Sequence, residues 1–305
     1  KTDLVSGMVG EFPELQGVMG RYYALAEGIS SDVADAIAEH YKPLGPHDTV
    51  PLKPISAILA LADKLDSLVG FFAADLKPTG SKDPYALRRS ALGIIRIILE
   101  NNLSLDIKRL ILDAYAMYDI PGLLPADKVV DEVYAFLLER LRVLLKDKEI
   151  KHDIISAVLD NKYVETDFLQ IVKKIEALAD FLATDSGAGL VALYKRAVNI
   201  LKAEEKKSGS EIALHLEIDY FLKDEEKVLY QAVVGGLNVD KFLQQNNYYG
   251  AMQELAKLHP VIDAFFAGVL VNDPDEIVRR NRLALLALVR KIVCRSVADF
   301  SLLEG

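Results

Sequence analysis

Apolar residues recur along most of this 305-residue chain at intervals of three and four, which leaves few folds open. Leu61, Leu65, Leu68 and Phe72 form one stripe, and Leu92, Ile95, Leu99 and Leu103 another. Val133, Leu137, Leu141 and Leu144 repeat the pattern, as do Ile171, Ile175 and Leu178, then Leu283, Leu286, Val289 and Val293. A helix turns once in 3.6 residues, so each series falls on one face and must be buried against a neighbour. The period-two alternation of strands is scarce; only Glu211 to Leu222 could be extended. The expected fold is all-α, an array of helices without a substantial sheet.

Punctuation divides the array. Asp83-Pro84 reads as an N-cap with proline at the first helical position, and Asp273-Pro274 as a second such cap or a turn just before one. Asp127, Thr166 and Asp240 are further predicted starts. Pro43 to Pro54 holds four prolines and reads as an ordered loop, and Lys206 to Ser210 as a flexible one. Pro121 to Pro125, with Gly122, separates two strongly helical blocks, so domains are expected over 1–120 and 121–305. No fixed-period repeat is evident.

Every long apolar stretch is broken by charge. Ile55 to Ala74 contains Asp63, Lys64 and Asp66, so no membrane span is expected. Cys294 is the only cysteine, which excludes an internal disulfide and fits a reducing, cytoplasmic setting. Its neighbours Ile292, Val293 and Val297 mark it as a core thiol. The chain opens on Lys1 without a signal peptide, and is expected to begin inside a longer protein.

The formal net charge is −9, which argues against unselective binding of polyanions. The charge is uneven, however. Residues 77–109 carry 7 basic and 3 acidic side chains, and residues 273–299 carry 6 and 4. The first zone contains KPTGSKDPYALRR, residues 77 to 89. With a single glycine and no preceding strand it is not a nucleotide-triphosphate loop. A helix starting near Pro84 would offer free N–H groups and a partial positive charge, with Lys77 and Lys82 before it and Arg88 and Arg89 one turn inside. That arrangement suits a phosphate or an acidic partner; alternatively, the arginines pair with acidic neighbours. In the second zone, Arg279, Asn281, Arg282 and Arg290 share a helix, and Tyr194, Lys195, Arg196 and Asn199 make a similar set on another. Arginine and asparagine suit phosphate contacts, base edges and stacking. An ordinary solvated basic face would read the same.

Catalytic signatures are sparse. His47-Asp48 and His152-Asp153 are the dipeptide with which metal-dependent phosphohydrolases of the HD superfamily hold divalent metals. The first lies in a proline-rich loop and the second in a charged segment, so a metal site is not expected. Asp63 and Asp66, three apart on one helix, read as solvated or capping carboxylates. No Ser-His-Asp or Cys-His set can be assembled.

Several longer segments together resemble the bacterial glycyl-tRNA synthetase β subunit. Glu11 to Gly17 (EFPELQG), Met19-Gly20 and Tyr22-Tyr23-Ala24 form the first, Ala60 to Asp66 (ALADKLD) the second, and Lys82 to Arg89 (KDPYALRR) the third. Lys195 to Ile200 (KRAVNI), and Asn281 to Leu286 through Val297 to Leu303, complete the likeness, which spans nearly the whole chain. The resemblance implies a helical HD-like domain remnant over 1–120, which need not be a hydrolase. A helical-bundle anticodon-binding domain with connecting helices would follow over 121–305. That domain type is named for an Asp-Ala-Leu-Arg pattern, partly matched here by Glu276-Ile277-Val278-Arg279. The resemblance further implies a tRNA-binding part of a glycine-tRNA ligase, without a complete catalytic site. It would carry tRNA contacts at Lys195, Arg196, Asn199, Arg279, Asn281 and Arg282, and a phosphate or partner contact at Lys77, Lys82, Arg88 and Arg89. Implied partners are tRNA-Gly and the α subunit, which uses ATP and Mg to activate glycine; neither DNA nor a membrane is implied. No cofactor is expected in this chain. An HD-type phosphohydrolase and a protein-binding scaffold are the alternatives.

Overall fold

Helices carry nearly all of the regular structure in the computed structural model, which describes residues 1–304, the side chain of Thr2 excepted. Among the described residues the only β contact is an isolated bridge between Thr79 and Lys82. The chain divides into two compact units, Lys1–Lys148 with Thr166–Leu169, and Glu149–Glu165 with Gln170–Gly305. Among the described residues no helix is long and apolar enough to cross a membrane.

The first unit contains α1 (Gly7–Glu11), α2 (Val18–Ala26), α3 (Ser31–Glu39), α4 (Pro54–Ala73), α5 (Leu87–Glu100), α6 (Ile107–Tyr115) and α7 (Ala126–Asp147). Helix α4 is its centre, packed against α3, α5, α6 and α7. Its buried line is Ala57, Ala60, Lys64, Leu68 and Phe72, which keeps Leu68 and Phe72 of the expected stripe; Leu61 and Leu65 are half-buried. Alanines face the core because small residues let neighbouring helices approach, while leucines fill the flanks. On α5, Ala91, Ile94, Ile95 and Ile98 are buried, and on α7, Val129, Val133, Leu137 and Leu141. Each fully buried aliphatic side chain contributes about 1.5–3 kcal/mol.

The segment Pro121–Pro125, where a domain boundary was expected, instead lies inside this unit. Leu124 N–H donates to Ala73 carbonyl at 2.9 Å, and the Tyr115 hydroxyl donates to Leu124 carbonyl at 2.7 Å. The prolines precede a helix without ending a core: the α7 stripe packs back on α4, α5 and α6, so compactness continues to Lys148.

Helix α5 begins at Leu87 rather than Pro84, with Ala86 at its N-cap in the left-handed region (φ 54°). Asp83 still caps it from a distance, accepting from Leu87 N–H at 2.8 Å and Arg88 N–H at 2.9 Å.

The second unit contains α8 (His152–Leu159), most of α9 (Phe168–Leu182), α10 (Asp185–Ser208), α11 (Asp224–Gly235), α12 (Val239–Gln244), α13 (Tyr248–Ala256), α14 (Leu258–Gly268) and α15 (Glu276–Ser296). Helix α10 packs on α13, α14 and α15. Its last turn takes in Lys206 to Ser208, read from sequence as flexible, and Gly209 ends it at φ 73°, where glycine has no Cβ penalty. Residues 211–222 form no strand but an irregular segment with one 3₁₀ turn, Ile218–Tyr220. Asp273-Pro274 is the turn before α15, whose cap is Asp275.

Candidate nucleic-acid interface

The Thr184 hydroxyl starts α10 by accepting from Gly187 N–H at 3.1 Å. Leu190, Val191, Tyr194, Ala197, Val198 and Leu201 then face the core. Helical spacing turns Arg196 and Asn199 outward, with Lys195 half-buried beside them. These three line an open groove of about 530 Å³ together with Glu204, Lys207 and Asn272. The Arg196 guanidinium lies over the ring of Phe266, on α14, at 4.3 Å from its centroid. Lys207 reaches Glu204 at 3.5 Å. Among the described residues neither Lys195 nor Arg196 has a carboxylate within ion-pair distance.

Tyr194, grouped with these residues in sequence, belongs to the core. Its hydroxyl lies 3.0 Å from Cys294 Sγ and 3.3 Å from Asp299 Oδ1, and burial pushes the phenol pKa far up. Burial likewise raises the Cys294 thiol to about 11, so it is an inert core thiol.

The candidates on α15 fare differently from one another. Arg279 is half-buried with its Nε unpartnered, and lines a cavity of about 340 Å³ that also contains Glu211, His215, Glu276 and Arg280. Asn281 is only 4% exposed, and its amide is spent on the Glu217 backbone: it accepts at 2.9 Å and donates at 3.0 Å, pinning the irregular segment to α15. Arg282 is 3% exposed. It donates to Glu226 at 2.7 Å, to Leu270 carbonyl at 2.8 Å and to Asp273 at 2.6 Å. Arg290 is held by Glu205 through two bonds, at 2.8 and 3.2 Å. The expected tRNA contacts at Asn281 and Arg282 are therefore corrected to structural ties. The sequence shows one apolar stripe on α15, yet Ala284 and Leu285 are buried as well, so the helix is enclosed on more than one side. A guanidinium so enclosed requires counter-charges inside the protein.

In the loop before α5, two of the four candidate cations are engaged. Lys77 pairs with Asp75 and Glu132, both at 2.8 Å. Arg88 folds back onto the carbonyls of Gly80 at 2.5 Å and Lys82 at 3.5 Å. The helix start expected to receive a phosphate already holds the Asp83 carboxylate on its free N–H groups, which excludes a second anion there. Lys82 and Arg89 remain exposed, Arg89 on a cavity of about 380 Å³ with Tyr41, Asp63, Lys64 and Ser90.

Lys64 was not singled out from sequence. Its i±4 spacing from Ala60 and Leu68 was the available signal. Lys64 is 7% exposed, and its ammonium donates to the carbonyls of His40 at 3.1 Å and Tyr41 at 3.2 Å. Its stem crosses Gly93, where an added Cβ would stand 2.9 Å from Lys64 Cε. Burial brings its pKa down from 10.5 to about 8. The unfolded chain therefore holds this proton more tightly, and stability rises as pH climbs from about 8 to 10.5. Below that window the cost of the buried charge persists in full. Urea unfolding across the range is expected to show this rise in the wild type and its loss in Lys64→Met. Equal slopes in the two proteins would refute the assignment.

Among the described residues no three His, Cys, Asp or Glu side chains converge to hold a metal ion. Asp48 accepts from Leu44 and Thr49 N–H, both at 2.8 Å, and so shapes its own loop. Asp153 accepts from Glu304 N–H at 2.8 Å. Asp63 pairs with Lys1, and Asp66 accepts from the Tyr118 hydroxyl at 2.7 Å. The phosphohydrolase alternative is thus left without a ligand set among these residues.

Sequence reasoning also missed Asn272 and Lys207, which line the α10 groove, and Phe266, which lies under Arg196. Only the doublet Phe265-Phe266 hinted at an aromatic near the surface.

Residues 1–160 match the family described as glycyl-tRNA synthetase beta subunit, and residues 190–297 match the DALR anticodon binding domain. The whole chain is 49% identical to the glycine–tRNA ligase beta subunit of Phenylobacterium zucineum (strain HLK1), covering 42% of that protein. It is 45% identical to that of Rhodospirillum centenum (strain ATCC 51521 / SW), covering 42%, and 44% identical to that of Ruegeria sp. (strain TM1040), covering 43%. The chain thus spans about two fifths of the length of these relatives.

Proposed function

Because the chain belongs to the glycyl-tRNA synthetase beta subunit family, we propose that it is a tRNA-binding part of a glycine-tRNA ligase. In this reading it grips tRNA-Gly, while a partner α subunit, using ATP and Mg, activates glycine and attaches it. The chain itself holds no complete catalytic site and no cofactor, and acts in the cytoplasm, where tRNA is charged. Residues 1–120 contribute the HD-like helices, and the anticodon-binding helices lie within 121–305. Of the four candidate cations around the start of α5, Lys82 and Arg89 are left exposed for a phosphate or a partner surface.

One observation carries the proposal. Within the segment matched to an anticodon-binding domain, α10 presents Lys195, Arg196 and Asn199 on an open groove, and neither cation is neutralised by a carboxylate. The protein as a whole is acidic, so charges left unpaired on one face mark where a polyanion is met. Arg279, on the neighbouring cavity that shares Glu204 with this groove, is a secondary contact.

Filter binding of the full-length synthetase complex to tRNA-Gly and to an anticodon-swapped tRNA, at two salt concentrations, tests this. Phosphate contacts release counterions, so affinity is expected to fall steeply with salt. The swapped tRNA is expected to bind more weakly at both concentrations. Binding that ignores salt, or no binding at all, would overturn the proposal.

A further inference from the structure

Arg196 is held unlike any other arginine singled out in sequence. Its partner is a ring rather than a carboxylate or a carbonyl, the Phe266 centroid lying 4.3 Å from the guanidinium carbon. A guanidinium is flat and has two faces. At 4.3 Å from the centroid, stacking one face on Phe266 leaves the other open, and Arg196 as a whole is exposed. Phe266 is in turn anchored by an edge contact to the fully buried Phe265, 5.6 Å between centroids at 66°. The core therefore fixes the plane of a charged group at the surface. Fixing a plane gives no advantage to a cation that merely attracts phosphate, since a flexible lysine does that. It matters when the ligand is itself a plane.

The rest of the groove fits the same ligand. Asn199 stands nearly one turn along α10, and Asn272 lines the groove from the segment before α15. Both are exposed, and each amide carries both donor and acceptor atoms, the complement of a base edge. Lys195, adjacent in the chain, is placed to meet a flanking phosphate. The groove of about 530 Å³ has room for one nucleotide and is open enough to admit it.

We infer that this groove is a subsite for one unpaired RNA base, stacked on the free face of the Arg196 guanidinium, with Asn199 and Asn272 at its hydrogen-bonding edge. The inference rests on the tRNA-binding reading above, and names the residue that orients a base within it. A paired base would offer neither a free face nor a free edge, so the ligand is a single-stranded stretch. Phe266 is a positioning residue, acting through Arg196.

The test uses the full-length synthetase complex and tRNA hairpins carrying an abasic residue at each loop position in turn. Arg196→Lys keeps the charge and loses the plane. It is expected to weaken binding of the intact hairpin about tenfold, the scale of one base stack. The salt slope is expected to stay unchanged, and the penalty to vanish for the hairpin abasic at the stacked position. Arg196→Ala is expected to flatten the salt slope in addition. Phe266→Leu, with melting temperature measured alongside, is expected to weaken binding about threefold with the salt slope intact, because stacking order is lost and charge is not. Should Arg196→Lys bind within twofold of the wild type, or should no abasic position cancel its penalty, the subsite is wrong while salt-dependent tRNA binding stands. A wild-type complex that does not bind tRNA removes both.

Discussion

Replacing Arg282 with alanine is expected to cost the second unit about 3–5 kcal/mol, the usual penalty for removing one partner of a buried ion pair. The guanidinium is enclosed and donates to two carboxylates and a backbone carbonyl. Burial alone would lower its pKa, but the bonds to Glu226 and Asp273 outweigh burial and hold it raised. Glu226, at 0% exposure, also accepts from Lys223 N–H at 2.7 Å, closing the first turn of α11. Truncating Arg282 therefore strands a buried carboxylate where water cannot reach it. In a unit of this size the loss corresponds to a fall in melting temperature of about 10 °C. Adding Glu226→Leu to the same chain is expected to recover part of it, because a well-packed apolar replacement leaves no buried charge unpaired. Thermal melts of the single and double variants decide the matter, and a shift below about 2 °C for Arg282→Ala would contradict the structure. Well below its melting point, the single variant is expected to keep the salt dependence of tRNA binding, which a true RNA contact would not.

The opposite behaviour is expected for Lys195 and Arg196. Reversing both charges, Lys195→Glu with Arg196→Glu, is expected to lower tRNA affinity by about two orders of magnitude at moderate salt, and to reduce the salt slope by about two contacts. Neither side chain is tied to a carboxylate and Arg196 is exposed, so the reversal leaves no buried charge unpaired and stability is expected to stay within about 0.5 kcal/mol apart from lost packing on Phe266. The measurement is affinity against salt concentration for both proteins, with melting temperature as control. Unchanged affinity would remove the α10 groove from the tRNA interface. The pair of experiments thus sets one arginine that holds the fold against one proposed to meet the ligand.

The sequence read these two arginines alike, and the reason is physical. Helical periodicity records which direction a side chain points from its own axis. It does not record what stands opposite. The outward placement of Arg196 and Asn199, with Lys195 beside them, was legible because Leu190, Val191, Tyr194, Val198 and Leu201 fix the far side of α10 as the core side. Asn281 and Arg282 were misplaced because α15 is enclosed on several sides, by neighbours supplied from α11 and the segment ahead of it. The loop KPTGSKDPYALRR shows the same limit. Its basic character and its helix were both evident, but the Asp83 carboxylate takes the anion position at the helix start, and Arg88 closes on the loop's own carbonyls.

The all-α fold, the division of each helix into an inner and an outer face, and the family resemblance carried by EFPELQG, ALADKLD and KDPYALRR follow from the chain alone. They depend on local spacing and on residue identity, which the sequence states outright. Which cations are neutralised, that α7 belongs with the first unit, and that Phe266 lies beneath Arg196 were decided by the tertiary structure. Those facts depend on residues far apart in the chain being brought within a few ångströms, and Coulomb attraction and burial act on that distance, of which local periodicity carries no record.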